Sequence, residues 1–312
     1  MSTLFTFPGQ GAQRAGMLHD LPQGAIVRDG IAEASDTLAL DVLTLDSEAG
    51  LRSTVSTQLC LLIAGVAMAR HLSAQAGPPD AVAGLSVGAF AAAVTAEVLG
   101  YRDALRLVRR RAELMASAYP SGYGMTAILG LEQAALAPLI AQVHSAGTPV
   151  YLANLNAPTQ LVLAGADAAL ARVAALALAH GATGAKPIAI SVPSHCELLA
   201  APAAALAEAA SGVAVAAPRL RYYSASVARE LRDPARIMAD LIANMALPVR
   251  WHETSVLAGE HGVRLAIEMP PGSVLTQLST IAALSDGVAV AAADTRVDTL
   301  VELMAREGRR EK

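Results

Sequence analysis

The 312-residue chain has little of what usually announces a fold or a partner. Two cysteines, Cys60 and Cys196, are too few for a disulfide framework or a four-ligand zinc site. Aromatic residues are only 3% and charged residues 16%, and the net charge of −4 gives no reason to expect a nucleic acid partner. A small acidic metabolite would need just one local cation. The first residues carry no basic stretch ahead of an apolar one, so no secretory signal is expected and the location is expected to be cytoplasmic. Hydrophobic residues make up 54%, yet unbroken apolar runs are short. Residues 53–69 and 81–96 fall short of a bilayer span or carry Ser, Thr and Gly, and residues 133–166 are broken by Pro138, Pro149 and Pro158, so a membrane protein is not expected. No G-x-G-x-x-G or P-loop pattern is present, so neither a resident cofactor nor a metal is expected.

What is there is a rhythm of short apolar runs and helical stretches. Residues 4–7 form a buried-strand pattern that runs into Pro8-Gly9-Gln10-Gly11, and residues 81–84 form a second one followed at once by a helix-forming stretch, 88–99. Strand, tight turn and helix in succession predict a parallel α/β sheet. Residues 124–129, 132–144, 149–153, 161–164, 167–180 and 186–191 then read as strand, helix, strand, strand, helix, strand, the order of the ferredoxin-like split βαβ unit. The expected organisation is an α/β catalytic domain of residues 1–122 and 192–312, with a ferredoxin-like small domain inserted at 123–191. Further strands are expected at 220–224, 264–268 and 288–292, before a charged C-terminal helix.

Three residues stand out chemically. Gly84-Leu85-Ser86-Val87-Gly88 is a G-x-S-x-G pentapeptide: paired glycines permit a strained strand-to-helix turn that lifts a serine oxygen into a cleft. A plain glycine-rich turn would look the same in isolation, but here an apolar strand precedes Ser86 and a helix follows it. The helix start would also place the Val87 N–H beside Ser86 as an oxyanion donor. A nucleophilic serine needs a base. Of seven histidines, His195 fits best, because Ser194 and Glu197 form a capping box that puts it at a rigid first helical position. His19, His71, His144, His180, His252 and His261 read as surface residues. On a helix over residues 102–116, Ala104, Leu107, Val108, Leu114 and Met115 make the apolar stripe, and Arg111 falls in its middle. A guanidinium directed into a core requires an anion, either a protein carboxylate or the carboxylate of a substrate.

Together these residues resemble the malonyl-CoA:acyl-carrier-protein transacylases. The resemblance covers nearly the whole chain: Phe7-Pro8-Gly9-Gln10-Gly11-Ala12-Gln13, the serine elbow, Arg111 with Glu113-Leu114-Met115, Asn154-Leu155-Asn156-Ala157-Pro158-Thr159-Gln160, Ser191 to Cys196, Pro248-Val249-Arg250-Trp251, and Glu268 to Leu275. It implies a hydrolase-like α/β large domain with a ferredoxin-like insertion, and a ping-pong acyl transfer without bound cofactor or metal. Ser86 would be acylated by malonyl-CoA, with His195 as general base and later acid. The N–H groups of Gln10 and Val87 would form the oxyanion hole, and Arg111 would clamp the malonyl carboxylate. Gln58, in a Thr-Gln-x-x-Leu-Leu context, Asn154 and Arg250 would stand behind these groups, and the acceptor would be the phosphopantetheine-type thiol of an acyl carrier protein.

Two departures from the family pattern bear on the finer reading. Leu85 and Val87 flank the serine where the family has His and Leu, and Arg250 stands where the fatty-acid enzymes carry Gln beside the Pro-Val pair. The resemblance suggests that the backbone carbonyl at position 250 orients the histidine; alternatively Arg250, as a second cation near the site, would help bind the malonyl group or the carrier. The Gly-Leu-Ser-Val-Gly-Ala elbow is similar to the epsilon subunit of malonate decarboxylase, so the carrier subunit of that complex is the acceptor expected first, ahead of the carriers of fatty-acid or polyketide synthesis. A serine esterase shares the elbow but places its acid and histidine late in the chain and has no use for Arg111. A degenerate acyltransferase kept as a docking subunit is the non-enzymatic rival.

Overall fold

The computed structural model describes residues 3–190, 192–280 and 286–309. Its main sheet is built on strands whose sequence is apolar without alternation: β1 (Thr3–Phe7) and β2 (Ala81–Gly84) are buried at every residue, as expected of parallel strands covered on both faces. β1 pairs in parallel with β2 on one side and with β9 (Leu265–Glu268) on the other; β10 (Val288–Ala291) lies beyond β9, and β7 (Arg221–Ser224) beyond β2. A short antiparallel strand, β8 (Arg229–Leu231), closes the β7 edge. The sequence reading has no strand there, because three residues carry no periodicity.

The helix α2 (Thr54–Ala76) lies against α1 (Ala25–Leu38), α3 (Gly88–Thr95) and α4 (Tyr101–Ala118), with residues 57–69 and Leu72 buried. It continues seven residues past the stretch recognised in the sequence and is long and apolar enough to cross a membrane, but it is covered by its neighbours within the protein. The helix after the elbow ends at Thr95 rather than at residue 99. Glu97 takes φ +59° and the Val98 N–H returns to the Ala93 carbonyl, a left-handed helix stop.

The middle of the chain forms a second sheet: β3 (Tyr123–Leu129), α5 (Gln133–Val143), β4 (Val150–Ala157), β5 (Gln160–Ala166), α6 (Asp167–Ala179) and β6 (Gly184–Ile188). Its order is β4-β5-β3-β6 and every pairing is antiparallel, which is the ferredoxin-like arrangement. Ile128, Leu161 and Leu163 pack under Leu136, Leu139, Leu170 and Val173 of α5 and α6. β4 runs four residues past its expected end. Beyond a bulge after Leu152, its backbone bonds to Val249: the Val249 N–H donates to Ala153 and the Leu155 N–H to Val249, each at 2.8 Å. That pairing stitches the small sheet to the loop ahead of α9 (Trp251–Glu260) and shapes the cleft between the sheets. Ser191, the expected end of the last strand, lies outside the described residues.

Candidate active site

The elbow is dictated by space. The Leu85 N–H donates to the Phe7 carbonyl at 2.9 Å, continuing the β1–β2 ladder one step beyond the strands, and the chain then reverses through Ser86 at φ +57°. A Cβ at Gly84 would stand 2.2 Å from the Ala89 nitrogen, and one at Gly88 2.1 Å from the Phe7 oxygen. Strand and helix therefore meet closely only because both positions are glycine. Ser86 itself is held in a left-handed conformation that costs on the order of 1–3 kcal/mol, the kind of strain that persists when surrounding structure enforces it.

His195 faces the serine. Its Nε2 lies 2.9 Å from Ser86 Oγ, while Nδ1 lies 2.8 Å from the Asn244 carbonyl and 3.3 Å from that of Leu247. Two carbonyls can only accept, so Nδ1 carries the proton and Nε2 presents its lone pair to the serine O–H. Burial, reinforced by the charge of Arg111, pushes the imidazole down to about 4, so it is a neutral base at neutral pH. The expected capping box is not formed. Ser194 Oγ donates to the Val192 carbonyl at 3.3 Å, Glu197 takes the Tyr151 hydroxyl, and helix begins only at Glu197 as a single 3-10 turn before α7 (Ala200–Ala209). What fixes the ring is backbone instead: His195 sits at φ +65° with its own N–H on the Met245 carbonyl at 2.7 Å.

Arg111 is wholly buried, at 0% exposure. Its Nη1 donates to Gln58 Oε1 at 2.6 Å, and its Nη2 to Ser86 Oγ and Asn244 Oδ1, each at 3.1 Å. Among the described residues no carboxylate pairs with it, and its Nε has no partner. Burial pulls the guanidinium down to about 9, still charged at neutral pH. Of the two anions the sequence left open, the protein carboxylate is therefore missing among the described residues, and a cation without its anion there points at the serine oxygen.

These groups open into one cleft of about 230 Å³, lined by Gln10, Gln58, Ser86, Val87, Asn154 and His195 among others. The Val87 and Gln10 N–H groups have no acceptor among the described residues, as an oxyanion hole requires. Residues 4–311 match the acyl transferase domain family. The malonyl CoA-acyl carrier protein transacylase of Haemophilus influenzae is 38% identical over 280 residues, covering 88% of this chain and 89% of that protein. That of Escherichia coli K12 is 36% identical over 302 residues, 93% and 97% of the two chains. This chain belongs to the malonyl CoA-acyl carrier protein transacylase family. It is an acyltransferase. FabD from Acinetobacter baumannii superposes with a TM-score of 0.92 at 33% identity over 98% and 99% of the two chains. A malonyl-transacylase solved in complex with a type II polyketide synthase acyl-carrier protein gives 0.89 at 35% identity over 99% and 100%.

Within this transacylase frame the structure gathers Ser86, His195, Arg111, Gln58, Gln10, Val87 and Asn154, and leaves Arg250 outside. The Arg250 side chain is half exposed, paired with Glu253 and bonded to the Val227 carbonyl. Its own carbonyl accepts from Thr254, as the first turn of α9 demands. The histidine is oriented from six and three residues earlier, by Asn244 and Leu247. Asn244 is the residue that sequence reasoning missed. Its carbonyl holds His195, its Oδ1 holds Arg111, and its Nδ2 donates to the Ser86 carbonyl at 3.3 Å. The available signal was an asparagine closing the amphipathic helix α8 (Pro234–Ala243), four residues before Pro248. Leu85, where a polar residue was missed, lies over Gly9, whose hypothetical Cβ would be 2.8 Å from it, so it packs the loop carrying Gln10.

Proposed function

We propose that the protein transfers a malonyl group from malonyl-CoA, through an ester on Ser86, to the thiol of an acyl carrier protein. The observation that carries this reading is Arg111: a fully buried guanidinium, unmatched by any described carboxylate, 3.1 Å from Ser86 Oγ. An acyl group ending in a free carboxylate supplies the missing anion and brings its thioester carbonyl over the serine. Ser86 Oγ attacks that carbonyl as His195 Nε2 takes its proton, and the N–H groups of Val87 and Gln10 receive the oxyanion. On collapse the C–S bond breaks and His195 returns the proton to the departing CoA sulfur. The carrier thiol then enters by the same steps in reverse, giving the malonyl thioester and free Ser86.

Arg111 also tunes the base. Its charge helps depress His195, so a carboxylate seated on it relieves the depression and strengthens the base only when the right acyl group is bound. His195 is oriented by main-chain carbonyls where a serine esterase uses a carboxylate, which favours the transferase over that rival.

The acceptor proposed is a carrier of fatty-acid or polyketide synthesis. The malonate decarboxylase expectation rested on the Gly-Leu-Ser-Val-Gly-Ala elbow, a stretch of few residues. Relatives that match about nine-tenths of the chain bear the acyl-carrier-protein name instead, and one solved neighbour holds a polyketide carrier. Intact-mass measurement tests both levels: incubation with malonyl-CoA should add one malonyl group to Ser86, and a fatty-acid carrier protein should discharge it. No adduct would remove the acyl-enzyme mechanism; an adduct discharged only by a malonate decarboxylase carrier would restore the earlier acceptor.

A further inference from the structure

Behind the cleft is a second polar cluster that the reaction as described does not use. Glu268 ends β9, opposite Thr6 of β1, and is buried at 1% exposure. Its Oε2 accepts the Thr276 N–H at 2.7 Å and the Thr276 hydroxyl at 2.8 Å, so it caps the short helix α10 (Val274–Gln277). Among the described residues its Oε1 has no partner. Trp251, buried at 2% exposure as the first residue of α9, has an indole N–H that is likewise unpartnered. Both residues line one small cavity of about 10 Å³, together with the hydroxyl residues Thr6, Thr254, Ser255, Thr276 and Ser279.

We propose that this cavity binds one ordered water, which accepts from Trp251 Nε1–H and donates to Glu268 Oε1, and that Glu268 is thereby a positioning residue for the oxyanion loop. The volume is that of a single water, and the lining offers both a donor and acceptors, which a water satisfies and a metal cation does not, since an indole N–H repels it. Leaving both polar groups dry would cost about 1–3 kcal/mol each. The link to the reaction is mechanical. Residues 269–273 connect Glu268 to α10, and at Gly272 a Cβ would come within 2.9 Å of Ala12 Cβ, so this segment abuts the 8–12 loop that carries Gln10. Val274 and Leu275 of α10 line the cleft itself. The water joins this unit to α9, and so to the Val249 backbone that holds β4.

The inference rests on the acyl-transfer reading for its kinetic consequence, but not for the water. A high-resolution crystal structure should show one solvent peak within hydrogen-bond distance of both Trp251 Nε1 and Glu268 Oε1; none there overturns the proposal. Glu268→Gln keeps volume and replaces the inward acceptor by a donor, and Trp251→Phe removes the donor. Each should lower kcat of malonyl transfer by about tenfold, a fraction of the loss for a missing oxyanion donor, with KM within about twofold. The chain has a single tryptophan, so its emission reports whether the site of Glu268→Gln remains folded. A folded Glu268→Gln with wild-type kcat, or one with raised KM alone, overturns the positioning role. Wild-type protein that forms no acyl-enzyme in the same assays would instead sink the transacylase reading and leave the water standing.

Discussion

In the four-stranded sheet and its helices, left-handed φ angles among the described residues fall only on glycine, as at Gly130 and Gly181. Around the six-stranded sheet they fall on Ala39, Ser86, Glu97, His195, Ala228 and Asp286 as well. Charge follows the same division. Arg111, Glu268, Asp240 and Asp46 are all buried on the six-stranded side, whereas the buried polar residues of the small sheet are Thr126 and Asn154. One region is a locally consistent packing unit; in the other, two of the six non-glycine residues at positive φ, Ser86 and His195, are hydrogen-bonded to each other, and Arg111, a cation unmatched by any described carboxylate, donates to the same serine oxygen. Such conflicts persist where the surroundings over-determine them, and it is their coincidence with an unpaired buried charge, not the backbone strain alone, that singles out the candidate site. The small sheet supplies a wall, with Met125, Val162 and Ile188 facing the cleft.

The comparison breaks most sharply at Ser86. Ser86→Ala should leave the fold intact and lower malonyl transfer by about 10⁴ or more, with no adduct by intact mass. Transfer at the wild-type rate would mean that the strained turn is not the reacting one. His195→Ala should cost about 10² to 10⁴. The pH dependence follows from the depressed imidazole: base function needs the neutral ring, so kcat/KM should stay level from pH 8 down to about 5 and be half lost near 4. The linkage has the same sign. Neutral His195 contributes fully to stability above its ordinary value of 6.5, and that contribution is lost as pH falls towards 4. An acid limb near pH 6.5 in kcat/KM would show that burial does not hold the ring as the structure has it.

Arg111→Ala sharpens the contrast between chemistry and substrate choice. It should reduce the preference for malonyl-CoA over acetyl-CoA by about 10²-fold, the worth of a charge-assisted pair in a dry site, while acetyl transfer remains measurable. Parallel loss of both activities would assign Arg111 to holding Ser86 rather than the substrate. On the other side of the comparison, Leu163→Ala empties part of the small-sheet core and should cost about 2–5 kcal/mol by denaturant unfolding. Its kcat below the transition should stay within about twofold of wild type.

The same division explains what the sequence made legible. The consistent parts could be read: alternation and loop spacing predicted the split βαβ unit, the pentapeptide predicted the elbow, and one arginine on an apolar stripe predicted a buried cation. What escaped reading was set by tertiary contact. β4 is lengthened by Val249, β8 exists as the edge partner of β7, and His195 is oriented by main-chain carbonyls, which carry no residue-type signature. Asn244 holds three groups at once from a single 3-10 turn, and nothing local distinguishes it from any other asparagine closing a helix.

Arg250 is where sequence expectation and structure differ most, and its removal should do least. The position was expected to matter through its carbonyl, but that oxygen is occupied by the Thr254 N–H and hydroxyl, and any residue that starts α9 would offer the same acceptor. Its guanidinium pairs with Glu253 three residues on, both about 40% exposed, where solvent screening leaves an ion pair worth about 0–1 kcal/mol. Arg250→Gln loses the bond from Nη1 to the Val227 carbonyl but keeps a donor near the place of Nε, which faces Glu253, and should change stability by no more than about 0.5 kcal/mol. Because His195 is held from Asn244 and Leu247, malonyl transfer should stay within about twofold of wild type, with the acid limb of the pH profile unmoved. A loss of tenfold or more in kcat/KM confined to transfer onto the carrier, with acylation by malonyl-CoA unaffected, would make the groove of Arg229, Arg236, Leu247 and Arg250 part of the acceptor's path. A loss in both half-reactions would return position 250 to the support of the histidine.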